Sequence, residues 1–282
     1  MTLLKEESSK MITKTIHKTA IVHPDAFISD GVEISPYAVI GAGVTLGENV
    51  KVGNFCVIEG NTTIGRGCQL FTGAVIGSIP QDKKFNKDEK VLLEIGENNI
   101  FREYVTANPG TGEGGRTTIG NNNLFMAYSH IAHDCIIGND CVMANNGTLA
   151  GHVTLEDTSV VGGLTAVHQF VRLGKFSIVG GCSKVVQDIP PFSICDGHPA
   201  RVYGLNLIGL RRAKFSAVTL TALKKAYKIL FFSGLTKRTA LEKIKKELNS
   251  STELEHLVNF VATSKRGVCG SSLRSEESEE NP

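Results

Sequence analysis

Four histidines and an aspartate stand mid-chain at spacings that invite chemistry. His130 and His133 fall in the run His130-Ile131-Ala132-His133-Asp134-Cys135; His152 comes 19 residues after His133, and His168 comes 16 after that. Histidine is the side chain whose ordinary pKa lies near neutrality, so it can take and return a proton at working pH. One chemistry open to such a set is general base catalysis. An imidazole removes the proton from a hydroxyl or amine attacking an activated carbonyl, and Asp134 holds the ring in the productive tautomer. The other is a zinc lyase, in which three neutral imidazoles bind the metal and lower the pKa of a bound water. If the carbonyl belongs to a thioester, the developing oxyanion needs a donor, and the backbone N–H of Gly151, beside His152, is the candidate. Any one of these histidines alone reads as a surface or structural residue, and a non-catalytic scaffold would tolerate the loss of all of them. Their recurrence near one turn spacing favours a site.

The element that must position them is a repeat. Steps of six from Val22 meet Ile28, Ile34, Ile40, Leu46, Val52, Ile58, Ile64, Leu70 and Ile76. The same step resumes at Ile119 and runs through Phe125, Ile131 and Ile137 to Val185. Small or β-branched residues stand two places earlier, and glycine often follows the aliphatic residue, as in Ile40-Gly41 and Ile137-Gly138. A period of six is neither helical nor simple strand alternation, so each hexad is read as a short strand plus a corner supplied by glycine or a polar residue. Three hexads close a triangular coil, and coils pair at roughly 4.8 Å. The expected product is a mainly β fold, a parallel β-helix prism. Where the period breaks, at about 78–94 and 108–118, the chain must leave through a corner as a loop. By charge alone Asp82, Lys83 and Lys84 read as a solvated loop.

With 30 Lys and Arg against 28 Asp and Glu, and no apolar run near membrane-spanning length, the chain is expected to have no integral membrane segment. The N-terminal residues are polar and lack the apolar core of a secretory signal, which points to the cytoplasm; Met11 is an alternative start. Cys56, Cys68, Cys135 and Cys141 occupy the small inward position of their hexads and no C-x-x-C pair occurs, so they are read as core residues.

The runs His130 to Cys135, Leu149-Ala150-Gly151-His152-Val153, Ala166-Val167-His168-Gln169-Phe170, Gly180-Gly181-Cys182-Ser183 and Gln187-Asp188-Ile189-Pro190-Pro191 together resemble the UDP-N-acetylglucosamine 3-O-acyltransferase family, which takes the first step of lipid A synthesis in Gram-negative bacteria. The resemblance extends from about Ala20 to Gly267. It implies the left hand of the β-helix, a homotrimer with sites between subunits, and transfer of a fatty acyl group from acyl carrier protein to the sugar 3-hydroxyl. No metal and no resident cofactor are implied, because the donor is carried on the phosphopantetheine of the carrier protein. It makes His133 the general base, Asp134 its partner and Gly151 the oxyanion donor. It places His130, His152, His168 and Gln169 around the substrates, puts Asp82 and Lys84 on the sugar, and puts Asn206 and Arg212 near the nucleotide. Gly181 matches the position where side-chain size limits acyl length. Asn108-Pro109-Gly110 departs from the usual His-Arg-Gly, Ile208 from an acidic residue and Ala213 from a second arginine.

Beyond Pro190-Pro191 the pattern turns helical, with helices expected over about 216–232, 236–248 and 252–262. Between Arg201 and Lys246 stand twelve Lys and Arg against one acid, Glu242. A nucleic-acid surface is one reading of that asymmetry, but no aromatic interleaving or motif supports it. An acidic protein fits better, and acyl carrier protein is the one the resemblance implies. The division expected is a polar extension over 1–19, the β-helix over 20–190, a helical subdomain over 191–267 and a disordered Ser- and Glu-rich tail over 268–282. The related N-acyltransferases that act later on acylated glucosamine carry an extra N-terminal domain for which this chain has no room.

Overall fold

The computed structural model describes residues 14–271. Met11 and the run 272–282 lie outside the described residues. Hexad after hexad contributes a strand of two residues, and the strands assemble into three sheets of 11, 9 and 8 strands, parallel throughout the prism. Partners are 18 residues apart, as in Ile16 with Ile34, Val22 with Ile40 and Ile28 with Leu46. The prism thus begins earlier than expected. Thr15–Ile16, assigned to the polar extension, is a strand because Ile16 lies one further hexad step below Val22.

The aliphatic and small positions of each hexad face inward and form one continuous core, in which Ile58, Ile64, Ile76, Ile131 and Leu149 are fully buried. Cys56, Cys68, Cys135 and Cys141 are fully buried there too, and all seven cysteines are free thiols. Burial pushes the Cys135 thiol up to about 12 and the Cys56 thiol to about 11, which keeps both protonated and unreactive.

The corners are built differently from the sequence expectation. Gly77 aside, the glycine after the aliphatic residue is not the left-handed residue. It is there for close approach between coils, since a Cβ on Gly138 would sit 2.6 Å from Asp157 Oδ1 and one on Gly53 2.8 Å from the Leu70 carbonyl. The left-handed residue comes two places later and is mostly not glycine: Tyr128, Asp134, Asp140, Asn146, His152, Thr158, Leu164, Phe170, Phe176 and Cys182 all have φ between 57° and 65°. That conformation costs an L-residue about 1–2 kcal/mol. The cost is offset because nine of these ten amides, all but that of Asp134, donate to a carbonyl of the coil below, as His152 N–H does to the His133 carbonyl at 3.0 Å and Phe170 N–H to that of Gly151 at 3.2 Å.

Both loops leave from one corner. Ile76 pairs with Ala107 after 31 residues, and Ala107 with Ile131 after 24, instead of the usual 18. The loops close earlier than expected, at 91 and 115, because the strands Leu92–Ile95 and Arg116–Ile119 extend to four residues and pair with each other.

Past the prism the chain forms an antiparallel hairpin, Ser193–Gly197 with Ala200–Leu205, and then four helices. These are α1 (Leu207–Arg212), α2 (Ala217–Phe231), α3 (Lys237–Glu247) and α4 (Thr252–Ala262). Asn206, Ser216, Thr236 and Ser251 cap them, each side chain accepting the backbone N–H three positions on. The short α1 was not expected, since six residues are too few to show a helical period. The subdomain is tied down by the Tyr227 hydroxyl donating to the Pro191 carbonyl, by His256 bonding Glu156 at 2.7 Å, and by Arg172 donating to the Phe260 carbonyl at 2.8 Å. Residues 268–271, assigned to the tail, are ordered against the prism: Val268 bridges Asp188, Ser271 bridges Val202, and Cys269 is buried. Among the described residues no helix is long and apolar enough to cross a membrane.

Candidate active site

One corner of the prism, between the nine-stranded and eight-stranded sheets, gathers most of the singled-out residues. From the pairing register its levels read Asn108-Pro109-Gly110, Ala132-His133-Asp134, Ala150-Gly151-His152 and His168-Gln169-Phe170. The histidines therefore share a corner but not a rung. His133 stacks under Gly151, Asp134 under His152, and Ala150 under His168, so the column read from the spacing is a staggered one.

The centre of the corner is a dyad. Asp134 Oδ2 lies 2.7 Å from His133 Nδ1, and the two side chains are only 13% and 16% exposed. The His133 ring meets that of His152 edge to face at 5.2 Å between centroids, and His152 is stacked on Phe170 at 4.6 Å. His152 Nε2 stands 3.6 Å from the same Asp134 oxygen. Gly151 is glycine for a reason of space: a Cβ there would sit 2.6 Å from His133 Nε2. It is buried, and among the described residues no acceptor takes its N–H.

A residue that sequence reading missed completes the dyad. Thr111, from the second loop, donates its N–H to Asp134 Oδ1 at 3.0 Å and its hydroxyl to Oδ2 at 2.6 Å. Burial alone would raise the Asp134 pKa, but the Thr111 hydroxyl, His133 and the Thr111 N–H together hold it below its ordinary value. The available signal was positional, a threonine in an insertion that leaves from the level directly beneath Asp134.

His130 precedes the corner on its strand, with Nδ1 2.6 Å from Thr106 Oγ1. Its pKa is lowered by burial and, secondarily, by its electrostatic interaction with His133. His168 and Gln169 are exposed one level above Gly151, with His168 Nδ1 3.2 Å from the Gln169 carbonyl.

The structure separates the rest. Asp82 and Lys84 lie in the first loop, where Asp82 Oδ1 accepts the Lys84 N–H at 2.9 Å. That loop is fastened to the second by buried Asn108, whose amide donates to the Ser78 carbonyl at 2.9 Å. Asn206 is 5% exposed and spends its side chain on the α1 cap and on the Phe176 carbonyl at 3.0 Å. Arg212 is exposed at the end of α1. Gly181 belongs to the neighbouring corner, where a Cβ would lie 3.2 Å from the Gly163 carbonyl.

His133, Asp134 and His152 are also the group whose ligand atoms, all within 4.8 Å, are able to converge on a metal ion. Here Asp134 already accepts three hydrogen bonds and His133 has one nitrogen committed to it. An ion would have to displace those bonds. The zinc triad read from sequence also fails geometrically, because His130 turns its Nδ1 to Thr106 and is not part of the group.

A prism of hexapeptide coils carrying a half-buried histidine–aspartate dyad beside an unspent backbone N–H defines a hexapeptide-repeat acyltransferase. Known proteins agree with that class. The family described as bacterial transferase hexapeptide matches residues 43–78 and 116–151, and that described as UDP-N-acetylglucosamine O-acyltransferase, domain 2, matches 188–269. The proteins named acyl-[acyl-carrier-protein]–UDP-N-acetylglucosamine O-acyltransferase from Thiobacillus denitrificans and Thermodesulfovibrio yellowstonii are 47% and 49% identical to this chain, each alignment covering 90% of it and 98% of the relative. The crystal structure of the UDP-N-acetylglucosamine acyltransferase from Bacteroides fragilis superposes with a TM-score of 0.87 at 41% identity, covering 90% of this chain and 99% of that one. The enzyme of that name from Campylobacter jejuni gives 0.85 at 38%, covering 91% and 99%. The chain belongs to the acyl-[acyl-carrier-protein]–UDP-N-acetylglucosamine O-acyltransferase family, acyl-carrier-dependent O-acyltransferases with a left-handed β-helix and a C-terminal helical subdomain.

Proposed function

We propose that this protein moves a fatty acyl group of about fourteen carbons, plain or 3-hydroxylated, from the phosphopantetheine thioester of acyl carrier protein to the 3-hydroxyl of UDP-N-acetylglucosamine, the first step of lipid A synthesis. The observation that carries the reading is the pairing of His133 with the unspent N–H of buried Gly151. With Nδ1 bound to Asp134, His133 has Nε2 left to take the proton of the sugar 3-hydroxyl. The oxygen attacks the thioester carbonyl, and the tetrahedral oxyanion accepts the Gly151 N–H. Collapse expels the thiolate, which takes the proton back from the imidazolium and leaves as the free phosphopantetheine thiol. No step calls for a metal or a resident cofactor.

The surroundings are consistent in kind. His130, His152, His168 and Gln169 line the same corner, Asp82 and Lys84 stand on the loop rising beneath it to meet the sugar, and Asn206 and Arg212 serve the nucleotide from the helical subdomain. Because Asn206 is spent within its own chain, its part is to orient α1. Exposed Lys224, Lys225 and Lys228 on α2, with Lys237, Lys243, Lys245 and Lys246 on α3, offer a basic face to an acidic carrier protein. Tyr37, Phe55, Tyr104, Tyr128 and Leu164, each at least 50% exposed, form an apolar column along one prism corner that suits closure as a homotrimer. We place the enzyme in the cytoplasm, where acyl carrier protein and the nucleotide sugar are made.

Purified protein, UDP-N-acetylglucosamine and carrier thioesters of graded length provide the test, read as thiol release. The wild type should prefer donors of about fourteen carbons. Gly181→Met should favour donors of about ten, since denying burial to four methylenes at about 0.8 kcal/mol each is roughly a hundredfold in selectivity. No thiol release with any donor would refute the activity, and an unchanged preference in Gly181→Met would move the end of the acyl groove elsewhere.

A further inference from the structure

We infer that the second projecting loop is a positioning device for the dyad, with Thr111 as the positioning residue that sets the Asp134 carboxylate against His133. The inference rests on the reading of His133 as the base and adds the part that holds it in place.

Asp134 needs holding. Its Oδ2 has two imidazoles within reach, His133 Nδ1 at 2.7 Å and His152 Nε2 at 3.6 Å, and a carboxylate free to rotate would be shared between them. Thr111 removes that freedom. It donates to both oxygens, N–H to Oδ1 and hydroxyl to Oδ2, which fixes the plane of the carboxylate as well as its position.

The loop is shaped to deliver those two donors. Pro109 and Gly110 lie one coil beneath His133 and Asp134 and are buried, and the chain leaves the corner at that level. It then folds back on itself so tightly that a Cβ on Gly110 would overlap the Arg116 amide and one on Gly115 the Thr111 carbonyl. Gly115 N–H closes the turn on the Gly112 carbonyl at 2.9 Å, and Gly114 N–H donates to the Lys90 carbonyl at 2.9 Å. At its root Asn108 holds the Ser78 carbonyl, so the base of the first loop and the support of the dyad are one fastened unit. An insertion serving only as a surface connection would not need Thr111 to spend both donors on a carboxylate that itself bonds a catalytic ring. The lowered pKa of Asp134 agrees, since hydrogen bonds from Thr111 are among its causes.

The experiment compares Thr111→Val, which keeps the shape and the N–H but loses the hydroxyl, with Thr111→Ser, which restores the hydroxyl, alone and in a His133→Ala background. Thr111→Val should lower kcat by roughly tenfold with both KM values within about twofold. The acid limb of its pH–rate profile should move to higher pH, because Oδ2, relieved of one donor, holds the imidazolium more strongly. Thr111→Ser should recover kcat to within about threefold of wild type. The double variant should be no slower than His133→Ala alone, because both changes act through one unit. An inactive His133→Ala with a Thr111→Val indistinguishable from wild type would overturn this inference and leave the base assignment standing. A fully active His133→Ala would overturn the base and this inference with it. Loss of kcat in Thr111→Ser equal to that in Thr111→Val, tracking a fall in Tm, would assign Thr111 a merely structural part and refute the proposal.

Discussion

The same coils turn two very different corners. At the corner between the eight-stranded and eleven-stranded sheets, side-chain oxygens of Asn99, Asn123 and Asp157 accept backbone amides of neighbouring coils. Asn99 Oδ1 accepts the Asn123 N–H and amide at 2.9 Å each, Asn123 Oδ1 accepts the Cys141 N–H at 2.7 Å, and Asp157 Oδ1 accepts the Asn139 N–H at 2.9 Å. At the histidine corner the residues in the positions of Asn139 and Asp157 are His133 and Gly151. Where the first corner puts a carboxylate to cap the amide beneath it, the second puts nothing, and the space goes to an imidazole. Its carboxylate, Asp134, is moved one place along and bonds that ring. One backbone plan thus gives a sealed corner or a reactive one, depending on whether the stacked side chains cap the amides beneath them or give that space to an imidazole.

Breaking each corner should have opposite consequences. His133→Ala should lose roughly 10²-fold or more in kcat while melting near the wild-type temperature, the usual worth of a general base. Asn139→Ala should do the reverse, keeping kcat while losing about 1 kcal/mol of stability through the unmet Asn121 N–H, which Asn139 Oδ1 accepts at 2.8 Å. Paired thiol-release rates and thermal melts decide it. A slow Asn139→Ala that melts normally would erase the distinction between the corners.

Gly151→Ala sharpens the comparison within the reactive corner. A methyl group 2.6 Å from His133 Nε2 must push the ring aside or shift the donor N–H. The expected loss is about 10- to 100-fold in kcat, below that of removing an oxyanion donor outright because the N–H survives in a displaced position. Retention of full activity with an undisturbed Tm would show that Gly151 is not beside the reacting atoms.

Hexad arithmetic carries far in such a chain because every coil repeats one steric problem, and the buried positions Ile28 to Val185 follow from it residue by residue. It misplaces the corners for an equally physical reason. Glycine is conspicuous in a sequence, but here it marks where coils touch, whereas the left-handed position accepts Tyr128 or Leu164 and so leaves no compositional trace. His133 and Asp134 stand together in the chain and were read directly. Thr111 was not, because its contact with Asp134 spans 23 residues and depends on the path of an aperiodic loop. Asn206 was read for its place in a motif, and its cap geometry becomes visible only once α1 exists.

The smallest difference between the corners concerns acid. The reactive corner carries His130 with its pKa held below 6.5 by burial and by His133, and Asp134 held below 3.8. Unfolded His130 takes up a proton near 6.5 while the folded residue refuses it until lower pH, so the unfolded state binds more protons in that window and stability falls as pH drops below 6.5. Asp134 adds a second loss further down, because the unfolded carboxyl protonates near 3.8 while the folded one stays ionised to lower pH. His130→Gln removes the first contribution and keeps a neutral side chain able to bond Thr106. Melting both proteins at about pH 7.5 and about pH 5.5 should give a smaller fall for the variant, by about 2–4 °C if the contribution is on the order of 1 kcal/mol. Equal falls would mean that burial of His130 costs the folded state nothing at acid pH and that the two corners do not differ in this respect.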